Sequence, residues 1–379
     1  MIYNGSSYNE NWKISKLAEL GTFARGVSKH RPRNDPKLFE NGKYPLVQTG
    51  DVKEATLYLS KHEQEYGDFG LKQSKLWNTG TLCITIAANI AETAILAYPM
   101  CFPDSIVGFS AYPEKSSEEF MYYIFEYIKK SIQNAATGSI QDNINLEYLM
   151  SLDFKIPEKK YQDMIVLILS SIDRKILINN AINDNLEQQI KTIFTFQFLQ
   201  NANTEWKQQS LAELSEMYQP KTISGKDLIA DGNYFVYGAN GIIGKYNQYN
   251  HSESEIAVAC RGASCGSIQM TLPFSWITGN AMVVKPHSDF PYREYLYYYL
   301  LAKNPNYLCS GSAQPQLTRE NLTLYSLKVP STTELNAFES YAEKVRKIII
   351  KNQQENIELS TLRDWLLPML MNGQATISN

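Results

Sequence analysis

The sequence predicts an α+β fold: two mixed α/β domains joined by two long helices, which pair as an antiparallel coiled coil under an internal pseudo-two-fold repeat. Three observations predict it. Sequence markers recur in the same order in both halves of the 379 residues. Residues 159–197 and 334–367 each lack both Pro and Gly, as uninterrupted helices do. The remaining segments hold short apolar runs such as YPLVQTG, GTLCITIA, SEIAVAC and NAMVVKP, bounded by the Gly, Pro and Asn that punctuate strands.

The markers align from end to end. WKISKLAELGTF at 12–23 matches WKQQSLAELSEM at 206–217, and EFMYYIFEYI at 119–128 matches EYLYYYLLAK at 294–303. TGSIQ at 137–141 matches SGSAQ at 310–314, and LMSLDFKIP at 149–157 matches LYSLKVP at 324–330. The offset is 194 at Trp12/Trp206 and 173 at Pro157/Pro330, so the first half holds 21 extra residues between its markers. Self-similarity at this scale marks a duplicated structural unit. The organisation expected is a first domain at 1–157, a spacer helix at 158–205, a second domain at 206–330, and a second spacer helix with a tail at 331–379.

Both long helices fit heptads. The second runs Phe338, Tyr341, Val345, Ile348, Asn352, Glu355, Leu359, Leu362, Leu366. Shifted by 173, the first runs Ile165, Ile168, Ile172, Lys175, Asn179, Ile182, Leu186, Gln189, Ile193. Alternating steps of three and four make a coiled-coil seam. Asn179 and Asn352 occupy equivalent central positions, and an antiparallel pair brings its centres together. These two asparagines are expected to lie close and to fix register at some cost in stability.

Composition excludes several classes. No apolar run approaches the ~20 residues of a membrane span. Apolar residues make up 44%, enough for sizeable cores, and the net charge is −3, which does not advertise nucleic acid. The local exception is 12–33, with six basic residues against Glu19. Five cysteines form no C-x-x-C pair and are read as reduced thiols, mostly in cores; no metal site is expected. YGANGIIGKY at 237–246 looks like a phosphate loop, but Ala239 stands where its first glycine belongs and Tyr246 where its hydroxyl belongs. NPNY at 304–307 is one letter from an adenine methyltransferase motif, yet no F-x-G-x-G accompanies it. With four scattered His, no catalytic constellation is expected.

The chain resembles the specificity subunit of type I restriction–modification enzymes. The resemblance rests on the two Trp-x-x-x-x-Leu-Ala-Glu-Leu starts, the GSIQ and GSAQ segments, the strand ends at Pro157 and Pro330, and LRDWLLPMLMNGQ at 362–374. It covers nearly the whole chain. It implies two target recognition domains, each reading half of a split, asymmetric sequence of double-stranded DNA. It implies a coiled-coil spacer on which two methyltransferase subunits dock and which restriction subunits can join. It also implies a non-catalytic, cytoplasmic chain with no cofactor of its own, S-adenosylmethionine, ATP and magnesium belonging to the partners. The rival readings are a protein scaffold without a DNA role, which the weak charge favours, and a methyltransferase.

Recognition is expected on loops held by a rigid scaffold, with Arg and Lys reading guanine and Asn and Gln reading adenine. In the first domain these are Lys29, Arg31, Arg33, Gln48, Thr49, Asp51, Ser139 and Gln141. In the second they are Lys221, Asn240, Lys245, Arg261, Gln314, Gln316 and Arg319, with the 238–245 loop bringing backbone close to DNA. Trp12, Trp206 and the Tyr-rich helices are expected to be packing elements. Trp365, Leu366 and Met369 exceed what a two-helix seam needs and are expected to meet a partner, burial against the chain's own first domain being the rival reading.

Overall fold

The computed structural model describes residues 3–137, 144–311 and 315–377. The chain forms two compact units, Met1–Ile178 with Glu355–Asn379 and Asn179–Gln354. Each takes one domain together with part of both long helices, Lys159–Phe194 and Thr332–Met371.

The two units are built alike. In the first, Gly21–Arg25, Ile106–Ala111, Leu82–Thr85 and Thr93–Leu96 pair antiparallel in that order. In the second, Ser215–Tyr218, Ala281–Pro286, Ile256–Ala259 and Ile268–Met270 repeat the order and the direction. A smaller sheet also recurs. Tyr44–Leu46 lies between antiparallel Gln64–Tyr66 and parallel Met100–Cys101; Tyr234–Gly238 lies between antiparallel Gly241–Tyr246 and parallel Trp276–Ile277. A two-stranded ribbon joins the start of each domain to its end, Lys13–Lys16 with Asp153–Ile156 and Lys207–Ser210 with Ser326–Val329. Much of the first half's extra length lies between Tyr44–Leu46 and Leu82–Thr85. It adds the short helices Thr49–Glu54 and Asp68–Lys72 and the two-residue strands Tyr58–Leu59 and Leu76–Trp77.

The repeated LAEL has a local cause. Leu17–Leu20 and Leu211–Leu214 are single helical turns whose two leucines are buried while Ala and Glu face water. The glutamate closes the turn from its N-terminus: Glu19 Oε2 accepts the Lys16 N–H at 3.2 Å and Glu213 Oε2 that of Ser210 at 2.7 Å. This satisfies a backbone donor that the short turn leaves open.

The cores sit where the Tyr-rich helix, the larger sheet and the long helices meet. Tyr123, Tyr295 and Tyr298 are almost fully buried, each with its hydroxyl bonded. Tyr123 donates to Asp173 at 2.6 Å, Tyr298 to Glu187 at 2.5 Å, and Tyr295 to the Lys328 carbonyl at 2.5 Å. Trp12 packs edge-on to Tyr161 at 6.1 Å and Trp206 meets Phe198 at 5.9 Å, so both are packing anchors. In the second unit Phe194, the last residue of the first long helix, contacts Phe198, Tyr295, Tyr298, Tyr299 and Phe338.

Within each unit the long helices run antiparallel. In the first, Arg363 pairs with Asp173 at 3.0 Å and Lys175 with Glu355 at 3.2 Å. In the second, Asn183 pairs with Asn352 at 2.8 Å, and Arg346 pairs with Glu187. The expected seam needs correction. Tyr341 and Ile348 are 37% and 48% exposed, whereas Leu335, Phe338, Ala342, Val345 and Ile349 are buried. The stripe keeps its steps of three and four but is rotated, because each helix packs on its domain as well as on the other helix, which widens the apolar face. Ile182, Lys175 and Gln189 likewise face outward while Leu169, Asn183 and Ile190 are buried. The register contact is also wider than expected: Asn352 Nδ2 donates to Asn183, one turn beyond Asn179, which is itself buried.

A buried charge network organises the second unit. Arg346 donates to Glu294 at 3.0 Å and to the Tyr298 hydroxyl at 3.1 Å, and it pairs with Glu187. Glu339 accepts the N–H groups of Glu294 and Tyr295 at 2.8 and 3.1 Å, at the start of the helix Arg293–Ala302. Burial pushes the Glu339 carboxyl up to about 7. The folded state therefore binds this proton more tightly than the unfolded chain, whose ordinary value is 4.5. The stabilisation is present at low pH and is lost as pH rises towards 7. Glu339→Gln is expected to flatten the pH dependence of the second unit's melting temperature between pH 5 and 8, checked by calorimetry on both proteins. An unchanged slope would contradict it.

Candidate nucleic-acid interface

In the first unit the basic loop 27–33 is pinned by its backbone. Lys29 N donates to the Gln73 carbonyl at 3.0 Å, and Ser74 Oγ donates to that of Val27 at 2.8 Å. Lys29, Arg31 and Arg33 are all exposed on it. Arg31 Nη1 donates to the carbonyls of Ser28 and His30, while Arg33 Nη2 meets Asp104 at 2.6 Å and Arg31 Nη2 lies 4.0 Å from the same carboxylate. Next to them His30 bonds Asp35 at 2.7 Å and holds its carboxyl below the ordinary range. The arginines are thus pre-aimed by carbonyls and one carboxylate, and their side chains remain 55% and 50% exposed.

Gln48, Thr49 and Asp51 form a second group. Asp51 Oδ2 accepts the Gln48 N–H at 2.7 Å and caps the helix Thr49–Glu54. Asp51 therefore has a structural task, and it is half-buried, as is Thr49. Gln48 is exposed, and its amide lies 3.4 Å from that of Gln64, across the register Leu46↔Gln64. Gln64 escaped the sequence reading; only strand pairing brings it there. Ser139 and Gln141 lie outside the described residues.

In the second unit YGANGIIGKY is a β-hairpin. Tyr234–Gly238 and Gly241–Tyr246 pair around the two-residue turn Ala239–Asn240, with a bulge between Val236 and Tyr237. Gly241 takes φ +94°, a conformation that favours glycine at a tight turn. The three glycines lie within these two strands and no helix follows them, so the fold offers no phosphate cradle of the kind a helix N-terminus supplies. Asn240 stands exposed at the tip, and Gln269 Nε2 ties the hairpin down by donating to the Gly238 carbonyl at 3.1 Å. Lys245 is half-buried, its ammonium 5.7 Å from the Phe235 ring.

Arg261 and Gln316 come together through a β-bridge, and Ser310 bridges Gln316 from the other side. Both Arg261 and Gln316 are exposed. Beneath them Leu317 N donates to the Cys260 carbonyl at 2.9 Å. Cys265 and Cys309 are joined as a disulfide, which corrects the expectation of reduced thiols; the pair is 44 residues apart and only folding brings it together. Cys83, Cys101 and Cys260 are free and buried. Lys221 is exposed and its carbonyl accepts the Trp276 indole N–H at 3.1 Å. Arg319, also exposed, opens the helix Arg319–Thr323. Gln314 lies outside the described residues.

The model of the type I restriction modification DNA specificity domain matches residues 9–188 and again 203–360. The chain belongs to this family. It is 23% identical over 334 residues to the type I restriction enzyme EcoprrI specificity subunit of Escherichia coli, spanning 83% of this chain and 82% of that protein. To the MjaIX specificity subunit of Methanocaldococcus jannaschii it is 21% identical over 413 residues, spanning 97% and 94%. The crystal structure of a type I restriction–modification S subunit from M. genitalium aligns over the whole of both chains with a TM-score of 0.64 at 17% identity, a likeness of fold.

The C-terminal segment divides between the chain's own core and its surface. Leu370 and Met371 are buried in the first unit's core, and Leu366 and Leu367 pack against it. Met369 is half-buried, and Trp365 is 57% exposed. Of the three residues expected to meet a partner, Trp365 is the one mostly presented to solvent, while Leu366 serves the chain's own domain. Among the described residues no His, Cys, Asp and Glu cluster could hold a metal ion, and no helix is long and apolar enough to cross a membrane.

Proposed function

We propose that this chain is the non-catalytic DNA-reading subunit of a type I restriction–modification complex, in which each unit reads one half of a split, asymmetric target. The observation that carries the reading is the duplicated fold with different side chains at its loops: Lys29, Arg31, Arg33 and Gln48 on one copy, Asn240, Arg261 and Gln316 on the other. One architecture bearing two loop sets suits two different half-sites. The long helices set the gap between them. Two methyltransferase subunits dock on the chain, restriction subunits join them, and S-adenosylmethionine, ATP and magnesium act on those partners in the cytoplasm. Trp365 is part of a docking surface.

The test is single-molecule methylome sequencing of cells that express the chain with its methyltransferase, against cells with the methyltransferase alone. A split, adenine-methylated motif is expected only with the chain. Arg261→Ala is expected to relax the second half-site, by about 10- to 100-fold in discrimination for a bidentate guanine contact, and to leave the first intact. Arg33→Ala should do the reverse. Seven residues inserted in each long helix should lengthen the gap by about three base pairs, at ~1.5 Å per residue and ~3.4 Å per base pair. A protein scaffold without a DNA role is the second reading, favoured by the net charge of −3. Absence of any chain-dependent motif from an active methyltransferase would select it.

A further inference from the structure

We propose that Cys265 and Cys309 form a thiol–disulfide modification site, acted on by small-molecule thiols and disulfides, that sets how rigidly the second unit presents Arg261 and Gln316. The consequence for DNA rests on the function proposed above; the modification itself does not.

Two loops meet at this site. Gly262 N donates to the Pro315 carbonyl at 3.1 Å and Cys265 N to that of Gly262 at 3.0 Å; on the other loop Cys309 N donates to the Asn306 carbonyl at 3.0 Å. Ser310 and Gln316 exchange two backbone hydrogen bonds of 2.8 Å. Gly266, at φ +85°, lets the loops touch: a Cβ there would lie 2.7 Å from the Asn306 Cα. These contacts are few and partly open to water. The disulfide is the covalent tie between residues 261–266, which carry Arg261, and residues 304–310, which lead through Ser310 to Gln316.

The site is also reachable. Both sulfur-bearing residues are only half-buried and sit at the margin of the second core. The other three cysteines are buried, and burial pushes the Cys101 thiol up to about 11 and raises Cys83 and Cys260 as well. Buried, protonated thiols are inert, so exchange chemistry in this chain is confined to the one pair. A small thiolate attacks one sulfur, the protein S–S bond breaks and a mixed disulfide forms. A second small thiolate attacks the small-molecule sulfur of that mixed disulfide and releases the remaining cysteine. Two small thiols are oxidised to one small disulfide, and their two electrons and two protons leave Cys265 and Cys309 as thiols; the reverse reaction consumes a small disulfide.

The test uses the full chain, oxidised, treated with reduced glutathione, and as the Cys265→Ser/Cys309→Ser variant. Alkylation after denaturation should label three cysteines in the oxidised protein and five after reduction, matching the three free thiols and the single bridge. Amide exchange across 261–266 and 304–310 should rise about tenfold or more on reduction and in the variant, as local opening is released, with the first unit unchanged. Five labelled cysteines without reductant, or unchanged exchange, would overturn the proposal. In the methylation assay the variant should relax the second half-site and spare the first; looser loops with unaltered fidelity would also overturn it. A chain with no methylation motif at all but with redox-dependent exchange would instead refute the DNA reading and leave the modification site standing.

Discussion

Arg346→Leu is expected to lower the melting temperature of the second unit by on the order of 10 °C. Removing one partner of a buried pair typically costs about 3–5 kcal/mol, because the charge left behind has no solvent, and a unit of this size moves by about 2–4 °C per kcal/mol. The charge left behind here is Glu294, which is 0% exposed and bonded to the arginine through both carboxylate oxygens. Glu187 is 33% exposed and recovers hydration. The second change Glu294→Gln should therefore restore part of the loss, since it removes the stranded charge. Calorimetry on the single and double variants decides the matter. A single-variant shift below about 2 °C would mean that water reaches Glu294.

Phe194→Ala should be comparably damaging for a different reason. Phe-to-Ala changes in tight cores cost about 3–5 kcal/mol, through lost transfer energy and the cavity left behind. Phe194 is 0% exposed and touches five aromatic rings, so several rigid neighbours would have to move to fill the space. It is also the last residue of the helix Lys159–Phe194, whose other apolar contacts with the second core are Leu186, Ile190 and Ile193. Early loss of the second unit's transition in a thermal scan, with the first unit's transition retained, is the expected signature. Coincident loss of both would show that the two units unfold as one cooperative block.

Local patterns were legible in the sequence and long-range ones were not. LAEL could be read as a repeat marker because its physics is contained in four residues, two buried leucines and a capping glutamate. The Pro-free, Gly-free stretches could be read as helices, and the tyrosines following each strand region as core. The heptad pattern places the seam one position off at 341 and 348 because IIIK and its neighbours offer apolar side chains on adjacent positions, and only the domain beneath chooses Ile349 over Ile348. Contacts that join distant segments left no trace in spacing. The Cys265–Cys309 bridge spans 44 residues and the Arg33–Asp104 pair spans 71. Gln64 and Gln269 escaped for the same reason: what recommends them is the strand beside them, not the residues around them in the chain.

The arginine pairs between the long helices constrain which parts of the chain could replace one another. In the two arginine pairs the carboxylate comes from the first long helix, Asp173 or Glu187, and the arginine from the second, Arg363 or Arg346, while the more exposed Lys175–Glu355 pair runs the opposite way. By the 173-residue offset, Asp173 is the counterpart of Arg346. A recombinant carrying two copies of the first half would set an aspartate where Arg346 now stands, against the buried Glu294 position and facing another acid. At this pair the two halves are complementary parts, not interchangeable ones.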